Sequence, residues 1–327
     1  MHTSLSLRLG ALVALPALAV GLSGCGAILD TGKDADTKAG ASASSLTGSV
    51  SVDGSSTVAP LTRAAAERFE ARHPGVAVSV EDNGTGAGFE AFCSGETDMS
   101  DASRPAQDEE KLTCARNDIA VEEFTVANDA LTVVVHKDND WIDCVTTGQL
   151  KKIWEPGSKI KSWREVDPSF PDEPLQLFGP GVDSGTFDYF TETVNGEEKA
   201  SRADFTPSED DNVLVQGVSA SKGGLGYFGY TYYEENADTL KALKIDAGKG
   251  CVAPGVGTVQ DHTYPLSRPL FIYPSAAALD RPEVLAFVEF YVDNHASIAE
   301  ESKYIPLSSA QEKKLRVALA GLKRAHG

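Results

Sequence analysis

The sequence predicts an α/β protein in which strands alternate with helices. Short apolar runs bounded by Gly and Pro alternate with segments whose apolar residues recur at helical spacing, from residue 48 to residue 322. Three strands also run into a turn of Gly, Ser or Thr that opens a helix, at 54–57, 84–88 and 183–186. With 327 residues, 41% of them hydrophobic and 24% charged, the chain can form one large or two medium domains.

The elements follow in order. Residues 48–52 read as a first strand. Residues 59–72 read as an amphipathic helix, with Leu61, Ala65 and Phe69 on one face and Pro74-Gly75 as its stop. Alternation over 76–80 predicts a second strand. A helix is expected over 89–94, a valine-rich buried strand over 131–136 and a short helix over 147–153. A strand at 176–178 precedes a helix at 187–194. Strands at 224–230 and 270–274 and helices at 281–295 and 309–322 complete the pattern. Asp210, Asp211 and Asn212 precede an apolar run and read as a helix-start cap. The tyrosines from Tyr227 to Tyr233 and the three tryptophans read as packing residues.

The N-terminus has a different character. Arg8 precedes an apolar run over 9–22, which small residues end before Cys25. This describes a signal peptide over 1–24, and the run is shorter than the ~20 residues of a membrane span. Leu22-Ser23-Gly24-Cys25 resembles the bacterial lipobox, which implies acylation of Cys25, with palmitate among the acyl groups. Residues 25–48 carry hardly any large apolar residue and read as a flexible tether. The expected location is the outer face of the cell membrane, reached through that anchor.

Five cysteines less Cys25 leave Cys93, Cys114, Cys144 and Cys251. An even number in an exported chain points to disulfides. Of the three pairings, Cys93–Cys114 with Cys144–Cys251 is favoured: one bridge staples a local segment and the other closes a long loop. No C-x-x-C spacing or neighbouring His suggests a metal, and no cofactor is expected. The net charge of −19 argues against nucleic acid as a partner, because a phosphate backbone demands basic patches. It does not exclude an anion site, since distant surface charge is screened within ~10 Å.

The Gly/Ser/Thr turns carry the function. A helix N-terminus leaves N–H groups without partners and holds about half a positive charge. Hydroxyls add donors, and Gly permits close approach. Three such turns converging on one point would replace an oxyanion's hydration shell, whereas one alone is an ordinary cap. The chain has no G-x-S-x-G elbow, H-E-x-x-H pair or P-loop, so it is not expected to be an enzyme.

Four motifs in this order resemble the PstS-type phosphate-binding protein family. They are Gly54-Ser55-Ser56-Thr57-Val58-Ala59-Pro60-Leu61, Gly84-Thr85-Gly86-Ala87-Gly88-Phe89, the segment from Asp98 through Arg104-Pro105, and Asp183-Ser184-Gly185-Thr186. The late strand Gly224-Leu225-Gly226-Tyr227-Phe228-Gly229-Tyr230 resembles the family's as well. The resemblance implies a two-lobed type II periplasmic-binding-protein fold with two crossover strands and a ligand cleft. It implies a monomer that captures inorganic phosphate and delivers it to the permease of an ABC importer. Sulfate or molybdate is the next ligand to consider; a surface adhesin or a hydrolase is a more distant reading.

By position, the first turn would bind through Ser55, Ser56 and Thr57, the second through Thr85 and Gly86, and the last through Asp183, Ser184, Gly185 and Thr186. The sequence departs from the family in two places. Pro180 stands where many members have Arg, and Ser103 where many have Asp. Arg104 is therefore expected to supply the guanidinium, whose planar fork grips two oxygens. Protonated phosphate can donate to a carboxylate and sulfate cannot, so a buried acceptor would select phosphate. Asp101 or Asp183 is the candidate acceptor, with Asp53 behind them. The lobes are expected at 49–132 plus 258–327 and at 133–257, with hinge crossovers near 126–134 and 265–272.

Overall fold

The computed structural model describes residues 46–182 and 184–326. The signal peptide, Cys25, nearly all of the tether and Asp183 lie outside the described residues. The strands are β1 (Gly48–Gly54), β2 (Val76–Val80), β3 (Met99–Ala102), β4 (Phe124–His136), β5 (Cys144–Thr146), β6 (Gln176–Pro180), β7 (Thr206–Ser208), β8 (Gly224–Gly229), β9 (Leu240–Ala242), β10 (Lys244–Asp246), β11 (Cys251–Val252) and β12 (Ser267–Pro274). They run β2-β1-β3-β12-β4-β8-β6-β7 in one sheet, with β9 beside β4, while β11-β10-β5 form a small second sheet. β1, β2 and β3 pair in parallel, as do β6, β7 and β8, so each half carries its own parallel set.

Of four hydrophobic clusters among the described residues, the two largest mark the two halves of this sheet. Val50, Leu61, Phe69, Phe287 and Tyr291 belong to the first; Trp154, Trp163, Phe190 and Tyr227 belong to the second. β4 passes from one to the other, with Phe124, Val126 and Ala127 in the first and Leu131, Val133 and Val135 in the second. β12 makes the return: Leu266 just before it lies in the second core, and Leu270 and Ile272 in the first. The two crossover strands pair antiparallel, Arg268 opposite Asp129. Val259 and Tyr264 also pack in the second core, so the return falls near Ser267, later than residue 258.

Local differences from the sequence pattern have physical causes. The helix read as starting at Phe89 starts at Thr85, because Gly84, at φ +97°, forms the turn before it. The helix read over 187–194 is α-helical only over Gly185–Phe190 and continues as a π-turn over Thr191–Asn195. The Thr191 hydroxyl donates to the carbonyls of Phe187 and Asp188 at 2.9 and 3.0 Å, competing with the regular ladder. β4 begins at Phe124, because the polar Asn128 and Asp129 hide its first half in the sequence. As expected, Asp210 caps the helix Asp211–Ser219, its carboxylate accepting from Asn212 N–H at 2.9 Å.

Both favoured disulfides are present. Cys93–Cys114 ties the helix Thr85–Ser94 to the helix Asp108–Arg116. Cys144–Cys251 joins the outer strands of the small sheet and closes a separation of 107 residues. No helix among the described residues is long and apolar enough to cross a membrane.

Candidate functional site

β1 and β3 deliver the first turn. Gly54 pairs with Asp101, and a Cβ at Gly54 would lie 2.0 Å from the Asp101 carbonyl oxygen, so only Gly allows the two strands to meet there. Ser55 N–H donates to that carbonyl at 2.9 Å, and the Ser55 hydroxyl accepts from Thr57 N–H at 3.2 Å. The turn then enters the helix Ala59–Arg72. Gly88 holds the second turn against the first, because its Cβ would lie 2.4 Å from Gly54 Cα. The Thr85 hydroxyl accepts from Ser103 N–H at 3.2 Å and lies 3.1 Å from the Ser103 hydroxyl, which links the second and third motifs.

These three segments and Gly185 surround one cavity of about 410 Å³. Ser55, Ser56 and Thr57 line it from the first turn, and Thr85 and Gly86 from the second. Ser103 and Arg104 close a third side. Thr85, Gly86 and Ala87 open a helix, so their N–H groups lack the usual carbonyl partners of a helix interior. Gly185 reaches across from the second core. A Cβ there would lie 2.2 Å from Thr57 Oγ1 and 2.7 Å from Thr57 N. The two halves therefore touch at this point. Ser184 and Thr186 line a neighbouring cavity on the other side of that contact, together with Ser56, Thr57 and Gly185. The Ser184 hydroxyl accepts from Thr186 N–H at 3.2 Å.

Asp101 does not line either cavity, which corrects its reading as a ligand acceptor. It is fully buried beside Thr62 and Tyr291. Burial pushes its pKa up to about 7, which Thr62 and Arg63 offset only in part. Side chains alternate along a strand, and the register that brings the Asp101 backbone to Gly54 turns its side chain away from the turn. Asp53 is committed to its own loop: it accepts from Gly54 N–H at 2.7 Å and from Asn83.

Arg104 lines the cavity, but its fork is engaged. It donates to both Glu110 oxygens at 2.9 and 2.7 Å. A second guanidinium, absent from the sequence reading, stands in the same cavity: Arg268 on β12. Its Nε donates to Asp129 at 3.2 Å, and its Nη2 donates to Thr57 Oγ1 at 2.8 Å and to the Gly185 carbonyl at 3.3 Å. It lies 3.9 Å above the Tyr189 ring. The only sequence signal was a charged residue within an apolar strand.

The facing wall is acidic, with Asp188, Glu192 and Glu198. Burial, reinforced by Glu198, raises the Asp188 pKa to about 6 against the opposing pull of Lys199 and Arg268, and one of its oxygens is buried without a hydrogen-bond partner among the described residues. The site thus sets hydroxyls, helix-start N–H groups and guanidinium against a carboxyl group. That arrangement suits an anion that still carries a proton.

A family model described as a PBP superfamily domain matches residues 39–295. The chain is 41% identical over 283 residues to the phosphate-binding protein PstS of Staphylococcus haemolyticus, covering 85% of this chain and 86% of that one. It belongs to the PstS-type phosphate-binding protein family. It is also 48% identical over 263 residues to protein SphX of Synechocystis sp., covering 79% of this chain and 78% of the relative. A crystal structure of a possible phosphate-binding protein from Planctomyces limnophilus superposes with a TM-score of 0.82 at 48% identity, over 85% of this chain and 99% of that one. The two-lobed fold with two crossover strands is the family's.

Proposed function

We propose that this protein is an extracytoplasmic receptor that captures inorganic phosphate and hands it to an ABC importer. One observation carries the reading: the turns at Ser55–Thr57 and Thr85–Gly86, Ser103, Gly185 and the Arg268 guanidinium meet around one cavity. Backbone and hydroxyl donors replace the ion's hydration, and arginine supplies the positive charge. Arg268 takes the principal cation role, since both terminal nitrogens of Arg104 are held by Glu110, whereas Arg268 donates to Asp129, Thr57 and Gly185 through Nε and Nη2. Asp183 lies outside the described residues, and we assign it to the closing turn with Ser184 and Thr186 on its place in the motif alone. The first lobe comprises 49–132 with the chain from about 267 onward, and the second lies between them. Closure of the two upon the ion marks the occupied state for the permease. Cys25 carries the lipid anchor on the outer face of the membrane, and the receptor works as a monomer without a cofactor.

Asp188 gives the selectivity, accepting the proton that phosphate retains and sulfate lacks. Titration calorimetry tests both statements. Phosphate and arsenate are expected to saturate one site and sulfate to give no heat at the same concentrations. Asp188→Asn is expected to lower phosphate affinity at least tenfold, the scale of one charged hydrogen bond, and to admit sulfate. A wild-type protein that binds no phosphate would end the receptor reading. An unchanged phosphate-to-sulfate ratio in the variant would end only the role given to Asp188.

A further inference from the structure

Arg268 and Asp129 face each other across the two crossover strands, and their side chains are only 12% and 7% exposed. They sit where the chain passes between its cores. Asp129 holds Nε, which leaves Nη2 directed at two acceptors that belong to different halves. Thr57 Oγ1 stands on the turn leading into the first core, and the Gly185 carbonyl opens the helix that packs in the second. Asp129 itself faces the neighbouring cavity, away from the one that Arg268 lines.

We infer that Asp129 is a positioning residue: it aims Arg268 so that one guanidinium nitrogen clamps Thr57 and Gly185 together, making the crossover strands part of the closing latch. The inference rests on the receptor reading. β4 and β12 are joined by a ladder of backbone hydrogen bonds, so the ion pair stays with the hinge while the halves move. The contacts to Thr57 and Gly185 are the ones made on closure and broken on opening. Arginine is needed because a rigid fork can hold Asp129 and Thr57 at once, whereas the single ammonium of lysine cannot reach both in that geometry. A closed state favoured by these contacts raises affinity chiefly by slowing release.

The experiment uses the folded protein and inorganic phosphate, with stopped-flow release rates and small-angle scattering with and without the ion. Asp129→Asn is expected to release phosphate about tenfold faster, on the scale of one charged hydrogen bond, and to show less compaction on phosphate addition. Arg268→Lys is expected to behave alike, and the double variant to be no worse than Arg268→Lys alone. Thr57→Val removes the acceptor without touching the ion pair and is expected to speed release, while Thr57→Ser restores it. If Asp129→Asn merely lowered the melting temperature, with wild-type release and compaction, the pair would be a structural salt bridge and the inference overturned. Wild-type release from Thr57→Val would overturn it as well, even if Asp129→Asn failed to fold. Failure of the wild type to bind phosphate would instead bring down the receptor reading on which the inference stands.

Discussion

Gly185→Val is expected to abolish measurable phosphate capture while leaving the protein folded. Any Cβ at this position would lie 2.2 Å from Thr57 Oγ1 and 2.7 Å from Thr57 N. The hydroxyl can rotate away, but the backbone nitrogen cannot. Gly185 is needed for this approach and not for its dihedral angles, since it opens a helix. Overpacking of this kind costs about 1–3 kcal/mol, or roughly fivefold to 150-fold in affinity, already for alanine. Valine adds two methyl groups at the same point. Titration calorimetry with phosphate reads the loss, and circular dichroism checks the fold. Retention of wild-type affinity would mean that the two turns need not touch for capture.

Asp101→Asn is expected to flatten the dependence of stability on pH between about 4 and 7. The unfolded carboxyl titrates near its ordinary value of 3.8, whereas burial raises the folded one to about 7. Between these values the native state still holds a proton that the unfolded chain has released. The buried group therefore costs nothing below pH 3.8, and its cost grows until the pH passes 7. A shift of about three units corresponds to on the order of 3–4 kcal/mol at pH 8. The neutral amide escapes that cost, so the variant is expected to melt several degrees above the wild type at pH 8 and to lose the advantage at pH 4. A parallel pair of melting curves across this range would show that Asp101 does not titrate in the folded protein as described.

Much of the cleft was legible from residue types. Gly54, Thr85 and Gly185 belong to strand–turn–helix junctions whose composition already suits an anion, and the structure brings all three junctions to one place. The crossover strands were legible as apolar runs, although the polar Asn128-Asp129 pair concealed how early β4 starts. The cations of the cavity were legible only in part. Arg104 stood beside a motif and drew attention, while Arg268 stood alone in a strand; yet Glu110 occupies the first, and Thr57 and Gly185 meet the second. One of the two candidate acceptors is out of reach for a related reason. Asp101 lies in the right motif, but strand alternation turns it inward, while Asp188 reaches the cavity from a helix whose orientation no local pattern reveals.

By itself, the sequence determined the local chemistry of this protein: where strands stop and where glycine turns open helices. These follow from dihedral preferences, apolar periodicity and short-range capping, all of which act over a few residues. Only the tertiary structure decided which charges share the cleft, because Arg268 meets Asp129, Thr57 and Gly185 through strand register and lobe contact across separations of 139, 211 and 83 residues. Register and packing are properties of the whole fold, and a side chain's partner at that range has no trace in its neighbours along the chain.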